Sequence, residues 1–321
     1  MPETAGEERV GHGSRRPDPV NTMKGHIVQG LRFAGPSGCG VIQCLLFHTY
    51  RCSRRGFYLM VYFRNLEIHV THRCNLSCES CSHYSNHGHT GLLALDEAAE
   101  WMDAWHNRLN PQAFSLLGGE PTLHPQLGEF VVLAREKWPG AHLRLVTNGF
   151  FLQRHLDLPH ILRRDPNSHI EISVHHNSPQ YLQKIKGNLD LLRLWQVKYG
   201  IRVQVIRSYD KWTRRYRGFG VGMEPYEDNQ PDKSWDICSA RDCFQLFEGK
   251  IWKCAPLAYL KLQDRKYGLS PKWAQYLAYK PLAPDCTVEE LRSFFTRQAE
   301  GYCGMCASRP ERFTPKLPFA V

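Results

Sequence analysis

The chain of 321 residues contains no long apolar run. Its most hydrophobic early stretch, "GVIQCLLF" (40–47), is far short of the ~20 residues a spanning helix needs. The opening "MPETAGEERVGHGSRRPDPV" has no apolar core, so no secretory signal is expected. No basic run is interleaved with aromatics, which argues against a nucleic-acid groove. Biased tracts are absent too, and 42% apolar with 22% charged residues is the composition of a folded soluble protein. The formal charge is +10, of which residues 1–59 supply +4. That mild excess suits an anionic substrate or cofactor. The expectation is a cytoplasmic protein with neither membrane nor nucleic acid as partner. Cysteine, in contrast, is plentiful, with 12 in the chain. Structural disulfides are rare in the cytosol, so metal or redox chemistry is the leading explanation.

Residues 1–59 mix Gly, Pro, Arg and Ser with no sustained period, and Cys39, Cys44 and Cys52 lack ligand-like spacing. This segment is expected to be disordered or loosely attached, with Met60 a candidate natural start. From Asn65 the pattern is regular. Strands are predicted at 65–71, 113–119, 142–149, 169–176 and 201–208. Helices are predicted at 94–109, 124–138, near 151–164 and at 178–200, the last started by Ser178 and stopped by Gly200. Five alternations of strand and helix imply a parallel sheet with right-handed crossovers. After Tyr209 the alternation fails. Gly249 lies between "CFQLF" and "IWKC", a hairpin pattern.

Cys74, Cys78 and Cys81 lie in "THRCNLSCESCSHY", directly after the first strand. Three thiolates on one loop leave one iron of a cubane cluster without a protein ligand. An open metal position is where chemistry happens, and in barrel-like α/β enzymes that place is the loops at the carboxyl ends of the strands. The competing reading is a zinc site completed by His72 or His83.

This cysteine loop, in this position, resembles that of the radical S-adenosylmethionine (SAM) enzymes. The resemblance implies a partial (βα)6 TIM-like barrel of the α/β class, followed by a small C-terminal cysteine-rich cluster-binding domain. The implied boundaries are an extension at 1–60, the barrel at 61–225 and the cluster domain at 226–321. The three cysteines would hold a 4Fe–4S cluster, with SAM on the fourth iron. "LLGGEPTLHP" (116–125) looks like the family's Gly-Gly-Glu-Pro motif. Gly118, Gly119, Glu120 and Pro121 would then serve the methionine end of SAM, the glycines by letting backbone approach it. Asn148, in "TNG" after strand three, and Ser173 and His175, after strand four, are the other implied SAM contacts. The pattern departs from the family at Ser80, where an aromatic usually packs on adenine; Tyr84 is the expected substitute.

The tail holds Cys238, Cys243, Cys254, Cys303 and Cys306, and resembles a twitch domain, the shorter relative of the SPASM domain. The implied ligands of a second, auxiliary 4Fe–4S cluster are Cys243, Cys254, Cys303 and Cys306. Cys238 is the alternative to Cys243 and the better fit to the family's lead spacing. A structural zinc ribbon is the competing reading. Cys286 has no local partner.

The resemblance implies reductive cleavage of SAM to a 5′-deoxyadenosyl radical, with flavodoxin or ferredoxin as electron donor. The expected reaction is oxidation of a small, sugar-like substrate, with His175, His176 and Arg207 as candidate bases. The alternatives are a maturase of ribosomal peptides and a non-enzymatic zinc or Fe–S module. Residues 1–59 do not read like the winged-helix domain that maturases usually carry.

Overall fold

The computed structural model describes residues 48–51 and 57–319. Most of the segment 1–59, with the expectations placed on it, lies outside the described residues. Strand β1 (His48–Arg51) pairs antiparallel with the start of β2 (Phe57–His69). Met60 therefore lies inside a strand that begins well before the predicted Asn65.

Four βα-type crossovers follow. Helix α1 (Leu95–Asp103) leads to β3 (Leu109–Leu117), α2 (Leu127–Lys137) to β4 (His142–Thr147), α3 (Leu158–Leu162) to β5 (Ser168–Val174), and α4 (Pro179–Tyr199) to β6 (Val203–Arg207). Ser178 caps α4 by accepting from Tyr181 N, and Gly200 ends it in the left-handed conformation at φ 70°. A serine acceptor at the first turn and a glycine past the last are the ends such a helix needs. The helix predicted near 151–164 is shorter than expected, reduced to a 3-10 turn at Leu152–Arg154 and the five residues of α3.

The remaining elements are α5 (Pro231–Asp236), β7 (Cys243–Phe247), β8 (Lys250–Trp252), α6 (Ala255–Tyr267), α7 (Ala274–Leu277) and α8 (Val288–Thr296). The hairpin β7–β8 turns at Gly249, whose φ of 68° suits glycine. The sheet order is β6-β5-β4-β3-β2-β7-β8, with β2 through β7 all parallel along that path. The fold is the expected α/β partial TIM-like barrel. Its sixth parallel strand, however, is β7, added on the far side of β2. The hairpin assigned to the 226–321 domain is thus continuous with the barrel sheet.

Burial along the strands separates two faces. On β4, Leu143, Leu145 and Thr147 are buried while His142, Arg144 and Val146 are partly exposed. On β5, Ile170, Ile172 and Val174 are buried while His169, Glu171 and Ser173 are partly exposed. The leucines and isoleucines pack under the helices with Phe130, Val131 and Trp195. The other set points into the barrel and is markedly polar.

Candidate active site at the carboxyl ends of the strands

Three loops interlock at this end of the barrel. In the loop after β2, Thr71 Oγ1 donates to Gly91 O at 2.6 Å and accepts from Arg73 N at 3.1 Å. The loop after β3 lies against it: Gly119 N donates to Thr71 O and Glu120 N to Arg73 O, both at 2.8 Å. A Cβ on Gly118 would collide with the carbonyl of Thr71, and one on Gly119 with the carbonyl of Arg73. The two glycines are therefore required by loop-on-loop backbone contact. The loop after β4 is tied in through Glu120. Its carboxylate accepts from Thr122 N at 3.0 Å, Asn148 N at 2.7 Å, and the hydroxyls of Thr122 and Thr147. With four donors already on it, the Glu120 side chain is a buttress between loops. Asn148 Nδ2 donates to Asn75 Oδ1 at 2.8 Å and lies 3.9 Å from Cys74 Sγ.

These loops enclose a cavity of about 260 Å³. Cys74, Cys78, Cys81, Gly118, Gly119, Glu120, Asn148, Ser173 and His175 all line it, so most of the predicted residues are brought together. Four are not among its walls. Pro121 is buried at the start of a 3-10 turn. His176 Nδ1 accepts from Ser178 N at 3.0 Å and so stabilises the start of α4. Arg207 is largely exposed and pairs with Asp210 at 3.2 Å. Tyr84, at φ 56°, turns its ring away into the protein, 5.3 Å from that of Tyr216, and its hydroxyl donates to Pro256 O at 3.4 Å. It cannot substitute for the missing aromatic.

The sequence reading missed Glu67, Arg144 and Glu171 on the cavity floor, and Trp212 on its wall. The signal was present in "LEIHV", "HLRLVT" and "HIEISV": charged residues at alternate positions of covered strands must face inward. Arg144 Nη2 bonds Glu171 Oε2 at 2.9 Å. Burial pushes the Glu171 carboxyl up, but His169 and Arg144 outweigh this and leave it below its ordinary value. Burial raises that of Glu67.

Burial also pushes up the thiols of Cys74, Cys78 and Cys81, and negative charge on neighbouring members of the set adds to this at Cys74 and Cys78. Such thiols keep their protons unless a cation replaces them. His175 is held neutral, its value lowered to about 4 by burial. Its Nδ1, like Ser85 Oγ, is buried without a hydrogen-bond partner.

In the tail, Cys238, Cys254, Cys303 and Cys306 come together. Cys238 follows α5, Cys254 precedes α6, and Cys303 and Cys306 sit on a 3-10 turn, where Cys306 N donates to Cys303 O at 3.1 Å. Ser234 of α5 ties the two parts through Cys306 O at 3.0 Å. Burial raises the Cys254 thiol, and so does charge on Cys306, Cys238 and Cys303. That of Cys306 is pushed up to about 12 by burial and the same neighbours. Cys243 stands apart, paired in register with Asn65 on β2 and 3.8 Å from its Nδ2, with Glu67 nearby. Cys243 thus lies outside this group of thiols, and Cys238 within it. Among the described residues no three His, Cys, Asp or Glu side chains converge as a single-ion site requires; cluster ligation puts each thiolate on its own iron.

Residues 68–197 match the Radical SAM superfamily. Over that stretch the chain is similar to radical SAM domains. The GTP 3′,8-cyclase of Aquifex aeolicus (strain VF5) is 31% identical over 207 residues, 57% of this chain and 63% of that one. The 7,8-dihydro-6-hydroxymethylpterin dimethyltransferase of Methanocaldococcus jannaschii is 33% identical over 90 residues, 27% of this chain and 17% of that one. The chain thus spans less than two thirds of the length of these relatives. Among solved structures, BtrN in complex with AdoMet and 2-DOIA aligns over 78% of this chain and 97% of that one, at 14% identity and a TM-score of 0.44. The radical SAM domain takes a 4Fe–4S cluster and SAM. The residues here fit that pair: three half-buried thiols of one loop face a cavity with unpartnered polar atoms on its wall. Among the described residues no helix is long and apolar enough to cross a membrane.

Proposed function

We propose that this radical SAM enzyme oxidises a small substrate rich in hydroxyl or amino groups, and that Cys238, Cys254, Cys303 and Cys306 hold an auxiliary 4Fe–4S cluster that accepts the electron. The observation that carries the reading is the gathering of those four thiols in the same compact unit as the cavity. When bound, the first cluster and SAM supply a 5′-deoxyadenosyl radical that removes one hydrogen atom. Converting an alcohol to a carbonyl then requires loss of one proton and one electron. Cys74, Cys78 and Cys81 would hold the first cluster, and the backbone of Gly118–Glu120 would orient the methionine end of SAM. The floor formed by Glu67, Arg144 and Glu171 receives the substrate.

The charge of that floor selects among substrates. Arg144, the one guanidinium among the described wall residues, is already neutralised by Glu171, and Glu67 adds a buried carboxyl group to the floor. Such a site favours hydroxyls and ammonium groups and disfavours a triphosphate, although GTP is named for several relatives. His175, neutral and on the wall, is the retained candidate base. The electron donor is a flavodoxin- or ferredoxin-like protein.

Iron content tests the reading. Anaerobically reconstituted wild-type protein is expected to hold about 8 irons per chain, and Cys238→Ala about 4, while Cys243→Ala stays at the wild-type level. Full iron in Cys238→Ala, or zinc in its place, contradicts the proposal.

A further inference from the structure

Trp212 reaches the cavity from the turn after β6 and, among the described residues, is its only Trp, Tyr or Phe wall residue. Three bonds fasten its neighbourhood to the two residues before Cys81. Trp212 Nε1 donates to Glu79 O, Arg214 Nη1 to Glu79 Oε1 and Arg215 N to Ser80 Oγ, each at 2.7 Å. Ser80 is buried in the left-handed region at φ 57°, its hydroxyl engaged by that contact. The position before the third cysteine thus presents no ring, and the loop bonded to it does. The Trp212 ring stands at 84° to that of His175, with centroids 5.5 Å apart. His175 Nδ1 and Ser85 Oγ, on the wall of the same cavity, are the buried polar atoms left without partners. A broad aromatic face with unpaired polar atoms on the same wall suits a flat heteroaromatic ring that has a polar edge.

We propose that Trp212 is the stacking face for the adenine ring of SAM. The proposal rests on SAM occupying this cavity. Base–aromatic stacking removed by alanine substitution costs about tenfold in affinity or more, whatever the base. Phenylalanine keeps the face and loses only the bond to Glu79 O.

The test is calorimetric titration of the anaerobically reconstituted protein with SAM, and with methionine, the fragment that lacks adenine. Trp212→Ala is expected to weaken SAM binding about tenfold, and Trp212→Phe less than about threefold. Methionine binding is expected to be equal in all three proteins. Unchanged SAM affinity in Trp212→Ala overturns the proposal. So does Trp212→Phe falling as far as Trp212→Ala, since the bond to Glu79 would then be what matters. A parallel loss of methionine binding overturns it as well. If Trp212→Ala does not fold, photolabelling of wild-type protein with 8-azido-SAM decides. Label on the peptide holding residues 208–216 is expected, and its absence there overturns the assignment. Wild-type protein that takes up no SAM overturns the family reading along with this one, whereas SAM binding indifferent to Trp212 overturns this one alone.

Discussion

Glu120 and Gly119 hold the cysteine loop in place from behind. Glu120 carries two loops on one carboxylate, and Gly119 lets a third strand of backbone pass within hydrogen-bonding distance. Replacing Gly119 by alanine forces its Cβ against the Arg73 carbonyl, a backbone atom that cannot rotate away. Gly119→Ala is therefore expected to cost about 2 kcal/mol of stability and to lower iron retention, read by thermal unfolding and iron assay. His175 makes a second prediction. Burial lowers its value from 6.5 to about 4, so between these pH values the unfolded chain binds the extra proton and the native one does not. Stability should fall as pH drops through that window, and His175→Gln should flatten the slope of melting temperature against pH. An unchanged slope would show that the imidazole is not held neutral. At this scale the Cys74, Cys78 and Cys81 loop was legible because it is local in sequence. Trp212 was not, because its place in the cavity depends on a long-range fastening to Glu79 and Ser80.

The segment from Ala307 to Phe319 is an element without regular structure that nevertheless connects the two cysteine regions. It leaves the turn bearing Cys303 and Cys306, pairs Arg312 with Thr213, and ends with Phe319 bridged to Leu76 inside the cysteine loop. Ser77 N donates to Pro318 O at 2.7 Å, and the Phe319 ring stacks on Tyr181 at 5.6 Å. Tyr181 in turn accepts a bond from His175 N at 3.3 Å. The strap thus braces both the loop between Cys74 and Cys78 and the His175 wall. Phe319→Ala should shorten the lifetime of the brown chromophore in air severalfold without altering the folded far-UV spectrum; an unchanged lifetime would remove the strap from the account. Strands and helices of the barrel were readable from their periods, with ends displaced by a few residues. The place of β7 beside β2 was not, since strand pairing across 178 residues of chain leaves no local mark. That pairing also sets the place of Cys243: a cysteine at the start of a sheet strand is held by its register, apart from the turn that carries Cys303 and Cys306.

Taken whole, the described residues form one compact unit, in which a polar barrel interior ends in a cavity walled by three cysteines and a second group of four thiols lies on the tail elements. Tyr84 reaches toward both groups, its N donating to Cys81 O at 3.0 Å and its hydroxyl to Pro256 O, two residues from Cys254, at 3.4 Å. The tail is built onto the barrel through β7 and through Tyr259, whose hydroxyl donates to Gln245 at 2.9 Å while Gln245 donates to Glu67 at 2.6 Å. Cavity floor and tail are thereby parts of one hydrogen-bonded core, and the floor's excess of carboxylates is a property of the assembled barrel rather than of any motif. The most direct measurement is electron paramagnetic resonance of dithionite-reduced, anaerobically purified protein with and without SAM. The expected result is a reduced 4Fe–4S signal whose line shape changes on adding SAM and which is missing from Cys78→Ala but present in Cys238→Ala. A signal indifferent to SAM, or one that survives in Cys78→Ala with the same response, would contradict the assignment of Cys74, Cys78 and Cys81.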